Sequence, residues 1–373
     1  MRVLHVYSGN LFGGIESLLL TLTRSGSACE LRTEAALCFD GRLARELEAA
    51  GARVHVLGAV RVSRPHTIHR ARRALADLIS RERFEAIVCH AAWSYAIFAR
   101  VIRRAGAPLV FWVHDAAAGR HWSERWARRT TPDLVIANSR FTEATLPALF
   151  AAPRVEVIYA PVEAPAAPDG DERAGVRLEF QTAADAIVIA QASRIEPWKG
   201  QHELLAALAE LRHRSGWVCW IVGGPQRAEE RTYRDTLAGL ARCYGIGDRV
   251  RFTGERRDME RIMAGADVLC QPNVRPEPFG IALVEALAAG RPVVTSAFGG
   301  AVEVVDESCG RLVPPGDRTA LVAALDSLIV DTPLRRRLSQ AAPARARLLC
   351  DPPSQMRRLR DCLESVSVAR QAQ

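Results

Sequence analysis

Short, almost uninterrupted apolar runs alternate with stretches of helical periodicity along this chain, and they do so twice, on either side of a proline-rich break. In the first half the runs predict strands at Val3–Tyr7, Glu34–Phe39, Val54–Leu57, Ala86–Cys89, Leu109–Val113, Leu134–Ala137 and Val155–Tyr159. Helical patterns such as Ile68–Arg81 lie between several of them. The second half predicts strands at Ala186–Ala192, Trp217–Val222, Val250–Thr253, Val268–Gln271 and Pro292–Ser296. A strand that is apolar on both faces needs cover on both, which a parallel sheet between two helical layers supplies. The reading is therefore α/β: two doubly wound, Rossmann-like domains facing across a cleft. Pro161 to Gly170, with three prolines and a glycine, reads as the linker. It sets the domains at 1–165 and 171–352, and a length of 373 residues fits two.

Charge separates the halves. Residues 1–165 carry 22 Arg against 15 acids (+7), while the remainder carries 28 basic against 27 acidic residues (+1). A basic half suggests an anionic partner (membrane surface, nucleic acid or acidic acceptor), and a solvated surface explains it equally. Twelve of these arginines, among them Arg70, Arg100, Arg104 and Arg129, fall within 60 residues, with Trp122 and Trp126 nearby, a pattern that suits anionic lipid. Of the 50 basic residues 49 are Arg; the single Lys is Lys199. GC-rich coding would replace Lys by Arg wherever a solvated charge suffices, which makes the surviving Lys the place to look for chemistry that Arg does not replace.

Other classes are disfavoured. The longest stretch without Asp, Glu, Lys or Arg is Ala86–Ala99, 14 residues, short of the ~20 a membrane helix needs. The N-terminus lacks the zones of a signal peptide. Nine cysteines without a C-x-x-C pair argue against a zinc site or a disulfide framework, so a reducing cytoplasm is expected. The nine His show no ligand spacing, and no metal site is expected.

In doubly wound sheets ligands bind beyond the carboxyl ends of strands. After the first strand come Gly13 and Gly14 and then an apolar helix, a place for close backbone approach to an anion or simply a tight βα turn. After Ala186–Ala192 comes Ser193-Arg194-Ile195-Glu196-Pro197-Trp198-Lys199-Gly200, whose Arg and Lys suit a diphosphate. Most informative is Glu277-Pro278-Phe279-Gly280 running into Ile281-Ala282-Leu283-Val284-Glu285 and closed by Gly290 and Pro292. A helix starting near Gly280 leaves the amides of Gly280, Ile281 and Ala282 facing outward for phosphate oxygens. Glu285, in its second turn, suits a ribose diol, and Glu277, in the loop before it, a sugar.

These residues carry a resemblance to the retaining glycosyltransferases of the GT4 family, which have the GT-B fold and use nucleotide-sugar donors. It rests on Arg194-x4-Lys199-Gly200, Val222-Gly223-Gly224-Pro225, Phe252-Thr253-Gly254, Ala266-Asp267-Val268, the pair Glu277-x7-Glu285, Ser296 to Glu303 and Gly310 to Asp317. In the first half it rests on Gly13-Gly14-Ile15-Glu16, Val113-His114-Asp115 and Ala137-Asn138-Ser139.

The resemblance implies that the second domain holds the donor, with Glu285 on the ribose, Arg194 and Lys199 on the diphosphate, and Glu277 with the Phe279–Ala282 amides at the sugar and phosphates. It implies that the first domain binds a sugar or lipid-linked acceptor and closes Gly13-Gly14 over the donor, with His114 near the transferring sugar. Glu255-Arg256-Arg257-Asp258 resembles the family's base-contacting segment. A helix at about 353–373 is expected to cross back to the first domain. No cofactor or metal is expected, the nucleotide sugar being a co-substrate.

Cell-surface polysaccharide or glycolipid synthesis is the implied setting, at a cytoplasmic location with peripheral attachment to the inner membrane face left open. No nucleic-acid partner is expected, since no recognition module for one is visible. A nucleotide-sugar epimerase of the same architecture, a non-catalytic nucleotide-sugar-binding subunit and a nucleic-acid-binding protein are the competing readings.

Overall fold

The computed structural model of the chain describes residues 1–10, 13–165 and 170–371. It folds as two units, Met1–Pro161 together with Cys350–Gln373, and Val162–Leu349.

The first unit is built on seven strands: β1 Arg2–Tyr7, β2 Arg32–Leu37, β3 Arg53–Val56, β4 Ala86–His90, β5 Leu109–Val113, β6 Leu134–Ala137 and β7 Val155–Val157. Their order is β3-β2-β1-β4-β5-β6-β7, every pair parallel. Every residue of β4, β5 and β6 is buried, as strands covered on both faces require. Leu75, Ile97, Phe98 and Ile102 from the helices Pro65–Arg81 and Ala91–Arg104 pack on Ile87 and Phe111 of the sheet. The helix Pro352–Gln371 belongs to this unit. It buries Met356, Leu359, Leu363 and Val366, and its Arg358 donates to the Val157 carbonyl at 2.9 Å.

The second unit holds β8 Ile187–Ala192, β9 Trp217–Val222, β10 Val250–Gly254, β11 Val268–Gln271, β12 Val293–Ser296 and β13 Gly310–Val313. The order is β10-β9-β8-β11-β12-β13, again all parallel. Its core joins Ile189, Cys219, Ile221, Val268, Cys270 and Val294 to Leu204, Leu208, Leu321 and Leu325 of the covering helices.

The doubly wound α/β reading holds in both units. One strand lay outside it: Gly310–Val313 at the sheet edge, where Arg311 and a partly exposed Leu312 interrupt the apolar run. Strand order reverses between β1 and β4, and again between β8 and β11. The loops leaving the carboxyl ends of those strands are where such sheets place ligands. Among the described residues no helix is long and apolar enough to cross a membrane.

Candidate active site

In the second unit the loops after β8 and β11 meet. The β8 loop turns through a short 3-10 segment, Pro197–Lys199, and then enters the helix Gln201–Glu210 at Gly200. Gly200 sits at φ +73°, and a Cβ there would lie 1.9 Å from the Pro272 carbonyl oxygen. The glycine of the Lys-Gly pair is therefore what lets the two loops touch. The Val274 amide donates to the Trp198 carbonyl at 2.9 Å and fastens them together. Gln191 donates to the Lys199 carbonyl at 2.6 Å, and Gln201 to the Arg194 carbonyl at 2.9 Å, which fixes the β8 loop from inside.

This contact brings Lys199 to Glu277. Oε2 of Glu277 accepts from Lys199 Nζ at 2.7 Å, from Gln271 Nε2 at 2.9 Å and from Asn273 Nδ2 at 2.6 Å. Three donors, one of them the Lys199 side chain, thus converge on one oxygen of a buried carboxylate, which supplies the partners that burial takes away from water. The Lys199 ammonium also lies 3.9 Å from the centre of the Trp198 ring. Behind the site β12 braces the loop: Thr295 donates to the Gln271 carbonyl at 2.9 Å and Ser296 to the Asn273 carbonyl at 2.8 Å. Gly299 and Gly300 clamp the other side. Their added Cβ atoms would fall 2.4 Å from the Glu277 carbonyl oxygen and 2.3 Å from the Pro278 carbonyl oxygen.

From Glu277 the chain passes through buried Phe279 to Gly280, at φ +98°, and into the helix Ile281–Ala288. Ile281 and Ala282 stand in the first turn, where amides have no carbonyl one turn back, so they offer N–H groups to an anion beside the Lys199 charge. Glu285 is one turn further on. Burial, with Glu260 adding repulsion, pushes its carboxyl up to about 7.

Arg194 pairs with Glu196 Oε2 at 3.1 Å, and that oxygen also accepts from Trp198 Nε1 at 2.8 Å, so Arg194 connects to Lys199 through the tryptophan. Arg256 lies in a different network. It donates to Asp258 at 2.7 and 2.9 Å and pairs with Glu179, and these carboxylates raise its pKa.

The remaining candidates belong to the first unit. Gly13 precedes the helix Gly14–Gly26 in an extended conformation; the preceding residues 11 and 12 lie outside the described residues. His114 follows β5, buried, and its carbonyl accepts from Asn138 Nδ2 at 3.1 Å, which joins the Val113-His114-Asp115 and Ala137-Asn138-Ser139 segments. His114 Nε2 is 2.9 Å from His90 Nδ1, and His90 Nε2 is 2.9 Å from His5 Nδ1.

Residues 177–345 match the family model "Glycosyl transferases group 1", and residues 12–164 match "Glycosyltransferase Family 4". The GDP-mannose-dependent alpha-(1-6)-phosphatidylinositol monomannoside mannosyltransferase of Mycolicibacterium smegmatis is 32% identical over 276 residues, which cover 68% of this chain and 69% of that protein. The chain belongs to glycosyltransferase family 4.

This family 4 chain is also similar to the D-inositol 3-phosphate glycosyltransferase of Actinosynnema mirum, 35% identical over 58% of the chain and 53% of that protein. It spans about half the length of that relative. Among solved structures it resembles Anabaena Alr3699/HepE in complex with UDP-glucose, with a TM-score of 0.86, 26% identity, and coverage of 98% of this chain and 100% of that one.

Sequence reasoning missed Gln191, Gln201, Gln271 and Asn273, although three of these four amides had a signal: glutamine inside or at the end of an apolar strand, or first in a helix. Their carbonyl oxygens are buried without a protein partner. It also missed His5 and His90, which stand in buried apolar strands.

Proposed function

We propose that this family 4 chain is a retaining glycosyltransferase that moves a hexose-type sugar from a nucleoside-diphosphate sugar to a hydroxyl acceptor, in cell-surface polysaccharide or glycolipid synthesis. One observation carries the reading: Lys199 and Glu277 meet at 2.7 Å where the sheet order reverses, at the mouth of the Ile281–Ala288 helix. Breaking the bond between the anomeric carbon and phosphate puts a further negative charge on the departing diphosphate. Lys199, Arg194 and the amides of Phe279, Gly280, Ile281 and Ala282 stabilise that charge. Glu285 takes the ribose hydroxyls, Glu277 the sugar, and the Glu255–Arg256 segment the base.

Transfer is front-face. The acceptor oxygen bonds to the anomeric carbon on the side the phosphate leaves, and the acceptor proton passes to the departing phosphate oxygen. In this route electrostatic stabilisation comes from protein groups, with no metal ion assigned to it. The acceptor is taken by the first unit, to which Gly13, Gly14 and His114 belong.

HepE was crystallised with UDP-glucose, which makes a UDP-hexose the first donor to try. The names of the mycobacterial and actinobacterial relatives, with phosphatidylinositol and inositol phosphate, favour a phosphorylated or lipid-linked acceptor. Such an acceptor accords with the +7 of residues 1–165 and with a place at an anionic membrane surface.

The test is to incubate the chain with UDP-glucose, GDP-mannose or an ADP-sugar, with and without a panel of inositol- and lipid-linked acceptors. Nucleoside diphosphate released in step with a new glycoside of unchanged anomeric configuration is the expected result. A rearranged nucleotide sugar with no acceptor needed would instead make the chain an epimerase.

A further inference from the structure

β1, β4 and β5 lie side by side, and each presents one histidine toward or beyond its carboxyl end: His5, His90 and His114. All three are buried. The two ring-to-ring nitrogen distances are both 2.9 Å. The planes of the His90 and His114 rings are inclined by 15° with centroids 5.2 Å apart, and those of His5 and His90 by 36° with centroids 5.1 Å apart. The chain is also held in place. Ala91, next to His90, keeps the left-handed φ of +62°, a conformation that costs a residue with a Cβ about 1–3 kcal/mol. Asn138 fixes the His114 carbonyl, and Trp112 flanks His90 with ring centroids 5.4 Å apart.

Burial keeps the rings neutral: it lowers His5 to about 4 and His114 to about 3, and holds His90 well below its ordinary range. A neutral imidazole has one N–H and one lone pair. If His5 donates through Nδ1, His90 accepts at Nε2, carries its own proton on Nδ1 and donates to His114 Nε2; His114 then carries its proton on Nδ1. In the opposite sense all three protons sit on Nε2. Any mixed set leaves two lone pairs or two N–H groups facing each other inside the protein. Passing between the two senses takes one proton in at His5 Nε2 and one out at His114 Nδ1, or the reverse.

We propose that these three tautomers are locked together, and that His5 and His90 are positioning residues which decide whether His114 presents an N–H or a lone pair at Nδ1. The catalytic consequence rests on the reading of His114 as a contact to the donor sugar; the lock itself does not.

The experiment is nitrogen NMR of the full chain labelled with ¹⁵N-histidine. One shared tautomer for all three rings, with coupling across both hydrogen bonds, is expected, and a mixed set overturns the proposal. In His90→Phe, His114 is expected to populate both tautomers. Turnover of the nucleotide sugar then falls roughly 10-fold or more in kcat, with KM little changed. His90→Gln, whose amide both accepts and donates, restores part of it. His5→Phe gives the same readout from the far end should His90→Phe not fold. A folded His90→Phe with an unchanged His114 tautomer or full turnover overturns the positioning role. Full turnover in His114→Ala removes His114 from the sugar site, while the nitrogen shifts report the lock independently.

Discussion

Lys199 shows what a single side chain is asked to do here. Its ammonium fits between the Trp198 ring at 3.9 Å and Glu277 at 2.7 Å, a space suited to a compact point charge. A planar guanidinium is larger and would have to displace one of them. Lys199→Arg is therefore expected to lower kcat about 10-fold or more with the fold intact; normal turnover would make the lone lysine an accident of coding.

Glu285 allows a test without substrate. Its carboxyl rises from 4.5 to about 7 on folding, so as pH climbs the unfolded chain ionises first. The stability held by the neutral form is full below pH 4.5 and is lost as pH rises to 7. Glu285→Gln should then match the parent near pH 4 and exceed it by on the order of 2 kcal/mol at pH 8, read as a higher Tm. An equal Tm difference at both values would refute the raised carboxyl of Glu285. Charged residues were legible in the sequence because they are few at strand ends. Gln271 had a signal in its place at the end of an apolar strand, whereas Asn273 had none, because an uncharged amide in a loop reads as ordinary polar filler until its bond to Glu277 is seen.

At the level of elements, the site depends on two loops coming closer than side chains permit. Gly200 and Gly254 both hold φ near +75°, yet a Cβ at Gly200 meets a carbonyl oxygen while one at Gly254 meets nothing within 4 Å. Gly254→Ala should cost roughly 1–2 kcal/mol from backbone strain alone, and Gly200→Ala clearly more, by denaturant unfolding. Equal costs would mean that the contact between the β8 and β11 loops is not tight.

Most strands were legible because β4, β5, β6 and β11 are apolar at nearly every position, which only a sheet covered on both sides explains. β13 escaped because its four residues, with Arg311 in second place and an exposed Leu312 in third, form no apolar run. The histidine chain escaped for another reason. His5 and His90 stand 85 residues apart, and only the order β1-β4-β5 makes them adjacent.

At the scale of the whole molecule, the two units carry different charge. The unit assigned to the acceptor holds 26 basic against 17 acidic residues (+9), and the unit assigned to the donor 24 against 25 (−1). If the acceptor is lipid-linked, the chain should co-sediment with vesicles containing phosphatidylglycerol at low salt and be released as salt screens the attraction. Failure to bind at low salt would leave the arginines as a solvated surface.

The proposed function requires the β8 and β11 loops of the second unit to hold a nucleoside diphosphate. It is tested most directly by titration calorimetry of the full chain with UDP, GDP and ADP, repeated on Lys199→Ala. One of the three is expected to bind the parent chain and to bind Lys199→Ala about 10-fold or more weakly. Failure of all three to bind the parent chain, or equal affinity for both proteins, would contradict it.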